Sequence, residues 1–286
     1  MGWQGRKIQG ALRMSGTTDA KSSLVVNGIK IETIERGRAN ARPILFLHPN
    51  IGIEANAPVL DALAKGGRVL APIHPGFGGS DLPKGLNSID DLSYFYLDLM
   101  QQLDLRDVLV VGVGIGGWLA CEIAVKSTER IDRIVLGNPL GIKVGDRETR
   151  DIFDIWSIMP DEVDARAYFD PNLAKRDYNV LPEADVLAAA RNREATARVA
   201  WSPYMHNPKL RGRLRRIDVP VLILWGAADR IVLNPDYGRA FASAIPGARL
   251  ETVERAGHYP HIEQPDEFAR RALAFAEQKQ PAMARA

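Results

Sequence analysis

The chain has 286 residues and an almost balanced charge, with 37 basic and 35 acidic side chains and a formal net charge of +2. Nucleic-acid binding normally requires a concentrated basic face, so we interpret the arginine clusters at 191–193 and 211–216 as solvated helix faces. Because Cys121 is the single cysteine, an internal disulfide and a zinc site of the multi-cysteine kind are both excluded.

The N-terminal region and the apolar stretches indicate where the protein acts. The first twenty residues include Arg6, Lys7 and Arg13 and lack the apolar core of a secretory signal, so a cytoplasmic location is expected. The long apolar stretch at 108–125 contains glycines and Glu122, which makes it a poor membrane span. We therefore expect a small-molecule substrate or ligand and no nucleic-acid or membrane partner, and a homodimer is left open.

Short apolar runs rich in β-branched residues alternate with helical patterns along most of the chain. This alternation predicts an α/β fold, with a mostly parallel twisted sheet and helices on both faces. A helix is predicted over 89–103, with Ser88 as its N-cap. The predicted strands are 24–26, 29–35, 43–48, 68–72, 108–113, 131–137, 219–225 and 248–253.

The alternation stops between Gly145 and about Asn207, where aromatic and charged side chains are mixed without a strand pattern. We interpret 145–207 as a helical cap inserted late in the sheet, over the carboxyl edge where ligands bind in open α/β folds. A peripheral helical subdomain is the alternative. The predicted organisation is a flexible segment at 1–20, a core of 21–144 and 208–280, and the cap.

The segment DVLVVGVGIGGWLACEIA runs from a strand directly into a helix through a glycine-rich turn. Gly112, Gly114 and Gly117 match the G-x-G-x-x-G dinucleotide fingerprint, but the next strand does not end in the acidic residue which that site requires. Gly112, Gly114 and Gly116 match G-x-S-x-G instead, the nucleophile elbow, with glycine in place of serine. We favour the second interpretation and expect no cofactor and no metal.

Other polar residues follow the predicted strands. VLILWGAADRIV places Asp229 just after a strand, and ETVERAGHYPHIEQPDEF places His258 in the loop after the last one. Upstream, LFLHPN ends a strand at His48, and HPGFGGSDLP follows the next strand. In this order, and over roughly 24–278, these motifs resemble the α/β-hydrolase superfamily, although Pro49 replaces the usual glycine of the upstream turn.

The resemblance implies a role for each of these residues. Asp229 and His258 correspond to the acid and the histidine of the catalytic triad, and Gly114 occupies the position of the nucleophile. The backbone N–H groups of Asn50 and Ile115 would form the oxyanion hole. HPGFGGSDLP is particularly similar to carbon–carbon bond hydrolases that cleave ring-fission products. VGVGIGG also resembles the N-myc downstream-regulated proteins, a non-catalytic branch that lacks the serine.

Glycine at the elbow changes the expected chemistry. No acyl-enzyme can form at Gly114, and Cys121 lies about two helical turns, ~10 Å, further along the helix. The working hypothesis is a hydrolase acting on a small, partly apolar ester or carbonyl compound, in which His258 held by Asp229 is a general base acting through water. Two alternatives stay open: a pseudoenzyme that binds a small ligand or a protein, and an engineered Ser-to-Gly form of an ordinary serine hydrolase.

Aromatic and histidine side chains complete the predicted site. The predicted substrate contacts are His48, Trp156, Tyr168 and Tyr259. His48 and His74 are alternatively packing residues of their turns, and the aromatic residues of the cap are alternatively its own core. His261 is expected to be exposed.

Overall fold

The computed structural model describes residues 22–54, 57–175 and 180–278. The predicted flexible segment at 1–20 and the last two residues of the predicted core lie outside these ranges. The strands are β1 Ser22–Val26, β2 Ile29–Arg36, β3 Pro43–Leu47, β4 Arg68–Pro72, β5 Val108–Val113, β6 Ile131–Gly137, β7 Val221–Gly226 and β8 Arg249–Val253. The predicted α/β class and the predicted strands are thereby confirmed, with boundaries that differ by up to two residues.

Helices and two short 3-10 helices connect the strands. Ser88 caps α2 as predicted, because its hydroxyl oxygen accepts a hydrogen bond of 3.0 Å from the Asp91 N–H. The helices are α1 Pro58–Ala64, α2 Ile89–Gln102, α3 Ile115–Ala124, α4 Pro160–Ala167, α5 Glu183–Ala200, α6 Leu210–Arg213, α7 Tyr237–Ser243, α8 Pro260–Glu263 and α9 Pro265–Glu277, and the 3-10 helices are Pro171–Ala174 and Leu214–Arg216. Among the described residues, no helix is long and apolar enough to cross a membrane.

The eight strands form one sheet in the order β1-β2-β4-β3-β5-β6-β7-β8. β2 is antiparallel to both of its neighbours, whereas every pair from β4 to β8 is parallel. The chain adds β4 on one side of β3 and β5 on the other, so the strand order reverses between β3 and β5. Ligands of open α/β sheets bind at the carboxyl ends of strands at such a reversal.

The centre of the sheet is covered on both faces. Every residue of β5 and every residue of α3 is buried. This burial explains the uninterrupted apolar run in the sequence, because parallel strands between two helical layers have no face to alternate. The strand and the helix that meet at the glycine-rich turn are therefore both fully buried.

The region between β6 and β7 contains α4, α5, α6 and both 3-10 helices, and its described residues contain no strand. α5 bonds to the turns after β3 and β4. The Asn192 amide contacts both, since it donates to the Ile51 carbonyl and accepts from the Gly78 N–H, each at 2.9 Å. The helical character of this region agrees with the sequence pattern. Its division from the core as a separate cap stays a prediction.

Candidate active site

The turn between β5 and α3 is built from glycines for steric reasons. Gly114 has φ +55° and ψ −117°, a conformation that strains residues with a side chain. A Cβ at Gly116 would overlap the Leu47 carbonyl oxygen, and one at Gly112 would overlap the backbone of Gly116. These glycines let α3 pack directly against the carboxyl ends of β3 and β5.

His258 and Asp229 form a buried pair at the same edge of the sheet. Asp229 follows β7 and His258 follows β8, and Nδ1 of the histidine lies 2.9 Å from Oδ2 of the aspartate. Both side chains are 1% exposed. Because the carboxylate is an acceptor, Nδ1 carries the proton in the neutral ring and Nε2 has its lone pair available.

The environment of Asp229 keeps its carboxylate ionised. Burial alone would raise the pKa of Asp229, but the nearby His258 ring and several hydrogen bonds lower it below its usual value. Oδ1 accepts from the N–H groups of Ile231 and Val232 at 2.8 and 3.2 Å. Oδ2 accepts from Nδ2 of Asn138 at 2.8 Å, in addition to the histidine.

Asn138 is a candidate site residue that the sequence did not reveal. It follows β6 with no exposed surface and φ +38°, and its Oδ1 accepts a hydrogen bond of 2.9 Å from the Gly226 N–H. One side chain therefore joins the ends of β6 and β7 and also orients Asp229. Its position directly after a strand was the available signal, but the sequence does not specify which neighbour an amide will contact.

Gly114 faces His258. A Cβ built at Gly114 would lie 3.4 Å from Nε2 of His258 and 3.5 Å from Cβ of Pro49, both of which are ordinary contact distances. The histidine loop is held by a hydrogen bond of 2.6 Å from the His258 N–H to the Ala167 carbonyl. The predicted juxtaposition of turn and imidazole is thus present, with a small space between them.

The two predicted oxyanion-hole residues flank this space. Asn50 follows β3 and Ile115 begins α3, and among the described residues neither backbone N–H has a hydrogen-bond acceptor. The close approach of Gly116 to Leu47 brings the start of α3 next to the turn that contains Asn50. Two unbonded donors beside a buried imidazole are suited to binding an oxygen with negative charge.

The structure does not support His48 as a substrate contact. The residue has no exposed surface, its Nδ1 lies 2.7 Å from the Pro49 carbonyl, and its Nε2 accepts a hydrogen bond of 2.9 Å from the His74 N–H. Both ring nitrogens therefore bond to backbone and neither is available to a ligand, contrary to the prediction. His74 is also fully buried. Both histidines therefore fit the alternative interpretation, in which they pack within their turns.

The expectation that His261 is exposed is wrong. The side chain is 2% exposed and packs among the rings of Phe46, Tyr259 and Phe268. Burial, followed by the neighbouring His258 and His48, lowers the pKa of His261 to about 3. Its Nδ1 has no hydrogen-bond partner among the described residues. His261 is buried because it lies in the short helix α8, which turns its side chain towards the core.

The three predicted aromatic contacts occupy two different places. Tyr168 and Tyr259 are buried with their ring centroids 5.3 Å apart, and the Tyr259 ring lies 5.1 Å from that of His258. The Tyr259 hydroxyl donates to Oδ1 of Asn50 at 3.0 Å. Trp156 instead lies against Trp201, at 6.3 Å between ring centroids, and Trp201 is 53% exposed.

The residues at the carboxyl edge of the sheet form one chemically defined site. A buried acid and histidine face a strand-to-helix turn and two free N–H donors, which are the parts that promote addition to a carbonyl group. The described residues contain no cluster of three or more His, Cys, Asp or Glu side chains that could hold a metal ion. The class is therefore an α/β protein with an acid and histidine site of the hydrolase type.

Comparison with known proteins identifies the family. The model of the Alpha/beta hydrolase family matches residues 44–271, so the chain belongs to this family. The 2-hydroxy-6-oxononadienedioate/2-hydroxy-6-oxononatrienedioate hydrolase of Cupriavidus pinatubonensis is 28% identical over 247 residues, which are 77% of this chain and 80% of that protein.

Solved structures agree with this assignment. The enol-lactonase from Burkholderia xenovorans superposes with a TM-score of 0.70 and 26% identity, over 90% of this chain and 100% of that one. The meta-cleavage product hydrolase from Pseudomonas fluorescens superposes with a TM-score of 0.72 and 24% identity, over 90% of this chain and 97% of that one, and thus shares the fold.

Proposed function

We propose that this chain hydrolyses a small, partly apolar ester or carbonyl compound, using water activated by His258 and no covalent serine intermediate. The observation that carries the proposal is the buried pair of His258 and Asp229 beside Gly114, with Nε2 3.4 Å from the position of a Cβ on the glycine. The elbow glycine leaves room for a small nucleophile where a side-chain hydroxyl would stand in a serine hydrolase.

In the proposed reaction, Nε2 of His258 removes a proton from water while the water oxygen bonds to the substrate carbonyl carbon. The carbonyl oxygen becomes an oxyanion, which the N–H groups of Asn50 and Ile115 stabilise. The tetrahedral intermediate then collapses, and the imidazolium returns the proton to the leaving oxygen or carbon. The products are a carboxylic acid and an alcohol or, where a second carbonyl group of the substrate stabilises the leaving carbon, a carboxylic acid and a shortened carbonyl compound. The ionised Asp229 stabilises the imidazolium in both steps.

The named relatives favour this substrate class. One is called a hydrolase of an oxo-dienedioate and another an enol-lactonase, so both names describe hydrolysis at a carbonyl carbon. The site residues of this chain are almost entirely buried, which favours a compact substrate. Tyr168 and Tyr259 add buried aromatic surface next to His258.

A second candidate function is binding without turnover. The specific observation that favours it is the positive φ of Gly114, which suits glycine and which a catalytic serine would occupy only with strain of about 1–3 kcal/mol. Under this proposal the pocket holds a small ligand or a segment of a protein. A third possibility is that the glycine replaces the serine of an ordinary hydrolase. In that case, restoring the hydroxyl with Gly114→Ser should restore activity with the His258 and Asp229 pair.

The test compares the parent chain with His258→Ala and Asp229→Asn on short-chain aryl esters, an enol-lactone and a ring-fission product. We expect turnover by the parent, none above background with His258→Ala, and a loss of about 10⁴-fold with Asp229→Asn, as when the orienting acid of a triad becomes an amide. Turnover that survives His258→Ala contradicts the proposal.

The same panel assayed with Gly114→Ser separates the alternatives. A parent that is inactive on every substrate, beside a Gly114→Ser variant that shows a burst of product, indicates a serine-hydrolase scaffold that lost its nucleophile. An inactive parent beside an inactive, folded Gly114→Ser variant indicates the binding function. The burst reports acyl-enzyme formation, which water-dependent turnover by the parent does not produce.

A further inference from the structure

Two stacked histidines lie directly beneath the turn that carries the candidate oxyanion donor. The rings of His48 and His74 are 3.7 Å apart at their centroids with an interplanar angle of 29°, and neither has exposed surface. One follows β3 and the other follows β4, so the pair joins two neighbouring strands at the carboxyl edge. The proposed mechanism gives neither ring a role.

The hydrogen bonds of the pair specify where every ring proton lies. Nε2 of His48 accepts from the His74 N–H, so Nδ1 of His48 carries the proton and donates to the Pro49 carbonyl at 2.7 Å. Nε2 of His74 lies 3.0 Å from the His48 carbonyl and must donate to it, which leaves Nδ1 as an acceptor 2.5 Å from the Tyr96 hydroxyl. This set of bonds exists only when both rings are neutral.

The surroundings hold these protons in place. Burial, together with the adjacent His48, lowers the pKa of His74 well below its usual value. Burial also raises the pKa of Tyr96 well above its usual value, so its hydroxyl keeps the proton that it donates to His74. Each ring therefore presents a fixed donor and a fixed acceptor to the backbone around it.

The two histidines affect the site through the peptide group between Pro49 and Asn50. The peptide between Pro49 and Asn50 is trans and planar, so its carbonyl and its N–H point in opposite directions. The carbonyl accepts from Nδ1 of His48 and, at 3.0 Å, from the Gly52 N–H. The Asn50 N–H must consequently point away from the histidines, while Pro49 itself borders the space beside Gly114.

We propose that His48 and His74 are positioning residues that fix the direction of the Asn50 N–H through the Pro49 carbonyl. This inference rests on the proposed function, because it assigns the Asn50 N–H to the oxyanion of that reaction. His48 holds the carbonyl, and His74 holds His48 in the one ring orientation that can do so. Neither residue touches the substrate.

Two substitutions of His48 separate positioning from general packing. The amide of His48→Asn can occupy the place of Nδ1 and donate to the Pro49 carbonyl, whereas the amide of His48→Gln reaches the place of Nε2 and can accept from the His74 N–H. Each variant keeps one of the two bonds and loses the other. A purely structural role therefore predicts similar effects from both.

The experiment uses Gly114→Ser as background, because the introduced hydroxyl reports on the site through its reaction with a fluorophosphonate probe. We expect His48→Asn to retain most of the labelling rate and His48→Gln to lower it on the order of 100-fold, the size expected for one lost oxyanion-hole donor. The midpoint of the acidic limb of the pH profile should stay unchanged in both, because the pair of His258 and Asp229 is intact.

Tyr96→Phe is a milder variant that tests His74 if His48→Gln does not fold. It removes only the hydroxyl that holds Nδ1 of His74, and we expect labelling several-fold slower with the same pH midpoint. Equal rates for the two His48 variants, or no effect of Tyr96→Phe, overturn the positioning role alone. A Gly114→Ser background that does not react with the probe at all contradicts the proposed function as well.

Discussion

The two halves of the candidate site are built by opposite means. The half formed by β5 and α3 depends on missing side chains, since any Cβ at Gly112 or Gly116 would overlap backbone atoms. The half formed by the ends of β6, β7 and β8 depends on side-chain hydrogen bonds that converge on the Asp229 carboxylate. One half therefore specifies shape and the other specifies charge and proton position.

The difference predicts that position 114 tolerates substitution better than the rest of the site. Exchange of a residue at Gly114 leaves the turn intact, because the close backbone contacts belong to the neighbouring glycines. The acid and histidine half has no such neutral position, since both oxygens of Asp229 accept hydrogen bonds and removal of the carboxylate leaves buried donors unpaired. Substitutions in the two halves should consequently differ in what they damage.

The largest expected effect is a difference in the stability lost when each of two glycines in the same turn is replaced by alanine. Gly116→Ala drives a methyl group into the Leu47 carbonyl, so backbone must move, and we expect a loss of more than ~3 kcal/mol of unfolding free energy. Gly114→Ala meets only ordinary contacts and should cost about 1–3 kcal/mol, for its positive φ. Urea unfolding of both variants measures the difference, and equal losses would contradict the steric origin of the turn.

The second prediction concerns Asn138, in the half of the site formed by the ends of β6, β7 and β8. Asn138→Leu removes the amide that orients Asp229, and we expect the labelling rate in the Gly114→Ser background to fall about 10-fold to 100-fold, as for a hydrogen bond to a charged group worth about 1.5–3 kcal/mol. Asn207→Leu is the matched control, since Asn207 donates to the buried carboxylate of Glu122 at the same 2.8 Å. The control should lose stability without losing rate, and similar rates for both variants would remove Asn138 from the site.

The smallest effect concerns His261, which packs among the rings of Phe46, Tyr259 and Phe268. Because the pKa of His261 is lowered to about 3, the unfolded chain binds its proton first as the pH falls below the ordinary histidine value near 6.5. This difference should destabilise the parent by about 1.4 kcal/mol between pH 7.5 and pH 5.5. His261→Leu should lack that part of the slope, and parallel stability curves for the two proteins would show that His261 protonates in the folded state.

The fold was readable from the sequence because its signals are local. The strands Arg68–Pro72, Val108–Val113 and Ile131–Gly137 have their predicted bounds, since buried parallel strands give short apolar runs with clear ends. The juxtaposition of His258 and Asp229 was also predictable, because parallel strands bring their carboxyl ends to one edge.

The misassigned residues depend on contacts that no local pattern encodes. His48 follows a strand at the expected edge, yet its ring turns back to the backbone because the His74 N–H and the Pro49 carbonyl are the partners in reach. His261 is separated from His258 by only two residues, but the short helix α8 rotates it into the core. Which way a side chain turns after a strand is decided by its neighbours in space, and these come from other strands.

The two hydrogen bonds of the Asn192 amide connect α5 to two turns at the edge of the sheet. Its amide holds the Ile51 carbonyl and the Gly78 N–H together, so α5 cannot move away from the sheet without releasing both turns at once. One of these turns contains the donor at Asn50. Displacement of α5 from the sheet would therefore break both bonds together and free the backbone segment that carries the Asn50 N–H.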